Sequence, residues 1–71
     1  MNVLVTGGSG HIGRYVVREL AGAGHTVTNV DLKPAPGAPG RFLRADLTDA
    51  GQVYQALASS HAEASVHLGA W

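Results

Sequence analysis

The feature that most constrains this chain is a cluster of glycines between a short apolar run and an amphipathic one. Val3-Leu4-Val5-Thr6 leads directly into Gly7-Gly8-Ser9-Gly10-His11-Ile12-Gly13. The β-branched residues ahead of the glycines favour a buried strand over a helix. Beyond them, Ile12, Val16, Val17 and Leu20 recur at helical spacing while Arg14, Arg18 and Glu19 fall elsewhere on the wheel. A helix is therefore expected over 11–21, stopped by Gly22 and Gly24. The spacing satisfies G-x-x-G-x-x-G from Gly7 and also G-x-G-x-x-G from Gly8. Gly7 or Gly8 would take the positive φ of the tight turn. Gly10 would let the backbone approach an anion without a Cβ in the way, and Gly13 would let the helix pack close to the sheet. The helix start presents unpaired N–H groups and about half a positive charge, the combination that holds phosphate.

The rest of the chain repeats the alternation. Thr26-Val27-Thr28-Asn29-Val30 reads as a second strand ending at Asp31. Residues 33–40 carry three prolines, which remove donors and fix φ, so this stretch is a surface loop. Arg41-Phe42-Leu43-Arg44-Ala45 is a third strand, followed by Asp46. Asp49 begins a second helix over 49–58, with Gln52 as its capping-box partner and Val53, Ala56 and Leu57 as the buried stripe. Ala64-Ser65-Val66-His67-Leu68 is a fourth strand. Strands alternating with connections predict an α/β fold with a parallel sheet. Right-handed crossovers arrange it in the order 3-2-1-4, with the two helices on opposite faces, as in part of a Rossmann fold. Ligands of such a sheet bind beyond the strand C-termini, at the switch between strands 1 and 4.

Asp31 lies eighteen residues after Gly13, close to the ~20 expected of an acid that holds a ribose in a dinucleotide site. A strand before the glycines, a helix after them and an acid at the next strand end form the context that makes the glycine spacing informative. A carboxylate can accept from both ribose hydroxyls, whereas a 2′-phosphate would meet like charge. NAD is therefore expected over NADP. Arg14 and Lys33 are the cations that could instead meet a 2′-phosphate.

These residues together resemble the extended short-chain dehydrogenase/reductase family, the NAD-dependent epimerase/dehydratase group, along the whole chain. Thr6-Gly7-Gly8-Ser9-Gly10-His11-Ile12-Gly13 is similar to its T-G-x-x-G-x-x-G motif. Asp31 matches its ribose acid, and Asp46-Leu47 resembles the D-L/V pair that contacts adenine. His67-Leu68-Gly69-Ala70 is similar to its H-L-A-A segment, with Gly69 in place of the usual alanine. The resemblance implies a cofactor-binding turn of Gly7, Gly8, Ser9, Gly10, His11, Ile12 and Gly13, in which Gly8 to Ile12 wrap the diphosphate, and a contact from Asp31 to the ribose. It also implies contacts from Asp46 and Leu47 to the adenine, and from Leu68, Gly69 and Ala70 along the central stretch. The family's catalytic Y-x-x-x-K is missing: Tyr15 is followed four residues on by Glu19, and Tyr54 by Ala58. No catalytic residue is assigned. The implied activity is that of an NAD-dependent epimerase, dehydratase or reductase of nucleotide sugars or related small molecules, with a homodimer of the intact protein. The alternative is a non-catalytic dinucleotide-binding redox sensor.

Composition sets the remaining bounds. With 45% hydrophobic residues and zero formal net charge, the chain is not of the disordered class. Five Lys/Arg against five Asp/Glu give no basic footprint, so nucleic acid is not an expected partner. No apolar run nears the ~20 residues of a membrane span, and the start lacks a signal-peptide pattern. With no cysteine, a cytoplasmic location is expected. His11, His25, His61 and His67 are scattered without metal-ligand spacing. An α/β dinucleotide-binding domain normally needs about twice these 71 residues. The expectation is the N-terminal part of such a domain, whose remainder and substrate domain are absent.

Overall fold

The computed structural model describes residues 1–68. Gly69, Ala70 and Trp71 lie outside the described residues. The elements run β1 (Asn2–Thr6), α1 (His11–Gly22), β2 (Thr26–Asp31), β3 (Arg41–Arg44), α2 (Ala50–Ser60) and β4 (Ala64–His67). The four strands form one sheet in the order β3-β2-β1-β4, with every pair parallel. Thr6 stands opposite Val30 on one side and His67 on the other. This is the expected partial Rossmann arrangement.

Alternation along β1 sorts the core into two layers. Val3 and Val5 pack with Val17 of α1 and with Val27, joined by Leu20, Ala21 and Val66. Leu4, one residue out of phase, packs with Val30, Ala45 and Ala56 of α2, joined by Leu43, Leu47 and Leu57. The helices therefore cover opposite faces, as the reversal of connection direction requires. Fully burying one such aliphatic side chain contributes about 1.5–3 kcal/mol, and Leu4, Val5, Val17 and Val30 are all at 0% exposure.

Several local expectations are corrected. Ile12 is 72% exposed and leaves the core stripe of α1 to Gly13 and Val17. In α2 the buried positions are Ala56 and Ser60, while Val53 and Leu57 are only half-buried. α2 begins at Ala50 and runs to Ser60, past the expected end. β3 ends at Arg44, one residue early. Gly22 remains helical, and Gly24, at φ +94°, carries the left-handed turn after α1. That conformation is cheap only for glycine.

Asp49 caps α2, its Oδ1 accepting from the amides of Gly51 (2.9 Å) and Gln52 (3.3 Å). Gln52 does not return a bond to the Asp49 amide as a capping box requires. Its Oε1 accepts instead from the Asp46 amide at 2.9 Å, and its Nε2 donates to Asp49 Oδ2 at 3.1 Å.

Candidate cofactor-binding site

The register of the sheet brings the separate sequence signals to one edge. Gly7 follows β1 and donates its amide to the Val30 carbonyl at 2.9 Å. Asp31 ends β2, and its carbonyl accepts from Ala45 at 3.1 Å, so Asp46 emerges beside it. Leu68 follows β4 and donates to the Thr6 carbonyl at 2.9 Å. Gly7, Asp31, Asp46 and Leu68 thus share the C-terminal edge of the sheet. Parallel pairing of all four strands is what does this, since each strand delivers its last residue to the same end.

The turn itself is built by three glycines with different duties. Gly7 has φ +75° and makes the reversal. A Cβ on Gly8 would overlap the Asn29 amide and lie 2.9 Å from Val17 Cγ2. A Cβ on Gly13 would run into the Gly7 carbonyl and lie 2.6 Å from Gly8 Cα, so this glycine lets the helix sit against the turn rather than the sheet. Around Gly10 there is room: the nearest atom to a Cβ there would be the Gly7 carbonyl oxygen at 3.8 Å.

The two helix starts differ in a way that decides which can hold an anion. α2 is closed by the Asp49 carboxylate. α1 has Gly10 as its N-cap, with no capping side chain and no acid in its first turn among the described residues. Its leading amides and the positive end of its dipole are left for an outside acceptor. His11 and Ile12 are exposed beside it.

Asp31 is tied to this turn. Its Oδ2 accepts from the Ser9 amide at 3.2 Å and its Oδ1 from the Leu32 amide at 2.7 Å. Each carboxylate oxygen has further lone-pair capacity for a donor such as a sugar hydroxyl. Asp46 is held in a local turn, its Oδ1 accepting from Thr48 Oγ1 at 2.6 Å and the Thr48 amide at 2.9 Å. These two bonds favour its charged form and hold its carboxyl below the usual carboxylate range. Leu47 packs on the α2-side core and lines a cleft of about 600 Å³ with Thr6, Val53, Tyr54, Leu57 and His67. That cleft is on the α2 face, and no residue of 7–13 lines it.

Two polar contacts at the site carry no signal in the residue spacing. His67 bonds Thr6 Oγ1 through Nδ1 at 3.1 Å and Ser65 Oγ through Nε2 at 3.2 Å, linking the ends of β1 and β4. Asn29, inside β2, donates from Nδ2 to Ser9 Oγ at 3.0 Å. An asparagine among the threonines and valines of a strand was the hint of the second. Among the described residues no group of three or more His, Cys, Asp or Glu is placed to hold a metal ion.

The sequence pattern of the NAD dependent epimerase/dehydratase family matches residues 3–71. The chain belongs to that family. The UDP-glucose 4-epimerase of Brucella ovis, in complex with NAD, superposes with a TM-score of 0.87 at 28% identity, over 99% of this chain and 23% of that one. The UDP-glucose 4-epimerase of Thermus thermophilus, also in complex with NAD, gives 0.85 at 34% identity over 100% and 24%. In sequence, a Sinorhizobium fredii protein named "Probable dTDP-glucose 4,6-dehydratase" is 38% identical across 99% of this chain and 23% of its own length. The chloroplastic divinyl chlorophyllide a 8-vinyl-reductase of Oryza sativa subsp. indica is 46% identical across 69% of this chain and 15% of its own length. The chain thus spans less than a quarter of the length of these relatives. No helix among the described residues is long and apolar enough to cross a membrane.

Proposed function

We propose that this chain is the cofactor-gripping part of an NAD-dependent epimerase, dehydratase or reductase acting on nucleotide sugars or related small molecules. The observation that carries the reading is the uncapped start of α1 set against a glycine turn whose Ser9 amide is bonded to Asp31. An open anion site and a ribose-binding acid are thereby joined in one unit, which suits a dinucleotide better than a single phosphate. Gly7, Gly8, Ser9, Gly10, His11, Ile12 and Gly13 would surround the diphosphate, with the space at Gly10 admitting it. Asp31 would take the adenosine ribose, and Asp46 and Leu47 would flank the adenine. Leu68, with Gly69 and Ala70, would run along the middle of the cofactor. NAD supplies hydride acceptance and return when bound; the proton-transfer residues of the reaction are not in this chain. The short span relative to its relatives supports reading it as one part of the cofactor domain, and its placement as the N-terminal part belongs to the same proposal. A homodimer of the intact protein and a cytoplasmic location belong to the same proposal.

The test is calorimetric titration of the intact protein with NAD and with NADP, repeated on Asp31→Ala. Wild type should prefer NAD. The variant should lose about tenfold or more in NAD affinity, the scale of hydrogen bonds to a charged group, while NADP changes far less because like-charge repulsion is relieved with them. An equal loss for both cofactors would sink the ribose assignment, and absence of binding to either would sink the whole reading.

A further inference from the structure

Asn29 is out of character with its strand. β2 is paired on both edges and buried from Val27 to Val30, a setting that ordinarily holds a continuous apolar run. Asn29 is 4% exposed, and its Oδ1 has no hydrogen-bond partner among the described residues. A buried acceptor without a partner bears the full desolvation penalty of that atom. Leucine, of similar shape, would avoid it. The fold therefore keeps here a buried acceptor that an apolar residue would not leave, and such local conflicts concentrate where function demands them.

The contacts of the side chain identify the demand. Its amide tip fills the space that a Cβ on Gly8 would need. Its Nδ2 donates to Ser9 Oγ, and Ser9 Oγ in turn donates to the Lys33 carbonyl. The hydroxyl has one proton, committed to Lys33, so Asn29 must present its NH₂ to Ser9; this fixes the amide orientation and leaves Oδ1 as the unpaired atom. The Ser9 amide meanwhile donates to Asp31 Oδ2. One residue of the turn is thus held from both its main chain and its side chain by the end of β2.

We propose that Asn29 is a positioning residue that sets the spacing between the glycine turn and Asp31, and so preorganises the site for a dinucleotide. It acts through Ser9 and touches no ligand itself. The proposal rests on the reading that the turn holds NAD. Preorganisation of this kind raises affinity by removing ordering cost at the moment of binding. Because Asn29 controls spacing and not charge, its loss affects NAD and NADP alike, unlike loss of Asp31.

The test uses Asn29→Leu, Ser9→Ala and the double variant in the intact protein. Asn29→Leu should unfold at the wild-type temperature or above it, yet bind NAD and NADP each about tenfold more weakly, the scale of coupling within one hydrogen-bond network. The double variant should bind no more weakly than Ser9→Ala alone, because the two residues act in series. In the ligand-free protein, the amide of residue 9 should exchange faster with solvent in either single variant. Unchanged affinity together with unchanged exchange in Asn29→Leu overturns the proposal, as do losses that multiply in the double variant. Should Asn29→Leu not fold, exchange at residue 9 in Ser9→Ala decides, with wild-type protection counting against the tether. If wild type binds no NAD, the functional reading falls, and the exchange measurement still decides whether Asn29 holds the turn.

Discussion

Gly13→Ala and Gly22→Ala make the same chemical change at the two ends of α1 and should move stability in opposite directions. Alanine is favoured over glycine in a helix interior by about 0.8–1 kcal/mol, and both residues are helical. At Gly22 a Cβ meets nothing within 4 Å among the described residues, so the change should stabilise by up to about 1 kcal/mol. At Gly13 the new carbon would lie 2.6 Å from Gly8 Cα and 2.9 Å from the Gly8 carbonyl carbon, against about 3.5 Å for a relaxed carbon contact. These are backbone atoms of a turn already fixed by the Gly7–Val30 hydrogen bond, so no rotamer can relieve the overlap. Overpacking of this kind costs about 1–3 kcal/mol. Propensity returns about 1 kcal/mol of it, leaving a net loss of up to about 2 kcal/mol. Urea unfolding of the intact protein with a two-state fit reads both variants, and in a domain of 150–250 residues each kcal/mol appears as about 2–4 °C in Tm. NAD affinity should fall for Gly13→Ala only, because the turn must retreat from the start of α1. A Gly13→Ala protein as stable as Gly22→Ala would refute the close approach of helix and turn.

Asp49→Ala should destabilise the protein by about 1 kcal/mol, the usual worth of an N-cap, through loss of the bonds to the Gly51 and Gln52 amides; an unchanged urea midpoint would contradict the cap. Asp46 carries a pH dependence. Its carboxyl is held low by Thr48, so its contribution is complete above the ordinary aspartate value of about 3.9 and is lost as pH falls through the lowered folded value. Thr48→Val should move the Asp46 carboxyl titration, followed by NMR, back up toward that ordinary value, and an unmoved titration would show that the side-chain bond is not the cause.

Much of the fold was legible because its determinants are local. The glycine spacing, the helical period after it, the β-branched runs and the proline loop each report backbone conformation within a few residues. Handedness then turns that order of elements into β3-β2-β1-β4 with helices on opposite faces. Less legible was which apolar residue faces inward. Ile12 satisfies the periodicity of α1 yet is 72% exposed, because Gly13 needs that side of the helix to sit against the turn. Val53 and Leu57 border the α2-side cleft and stay half-buried, Leu57 packing only on the margin of the core.

For the site, the sequence by itself determined that a glycine turn leads into a helix and that an acid ends the next strand. Those are matters of spacing along the chain. Only the tertiary structure decided how the pieces are joined. The start of α1 is open while that of α2 is capped, and Asp31 reaches back to the Ser9 amide across 22 residues of sequence. Asn29, read from the sequence as part of the second strand, holds Ser9 through its Nδ2. Such bonds depend on the parallel register that sets the end of β2 beside the turn after β1. A side chain's partner across that register is fixed by packing, and residue spacing carries no record of it.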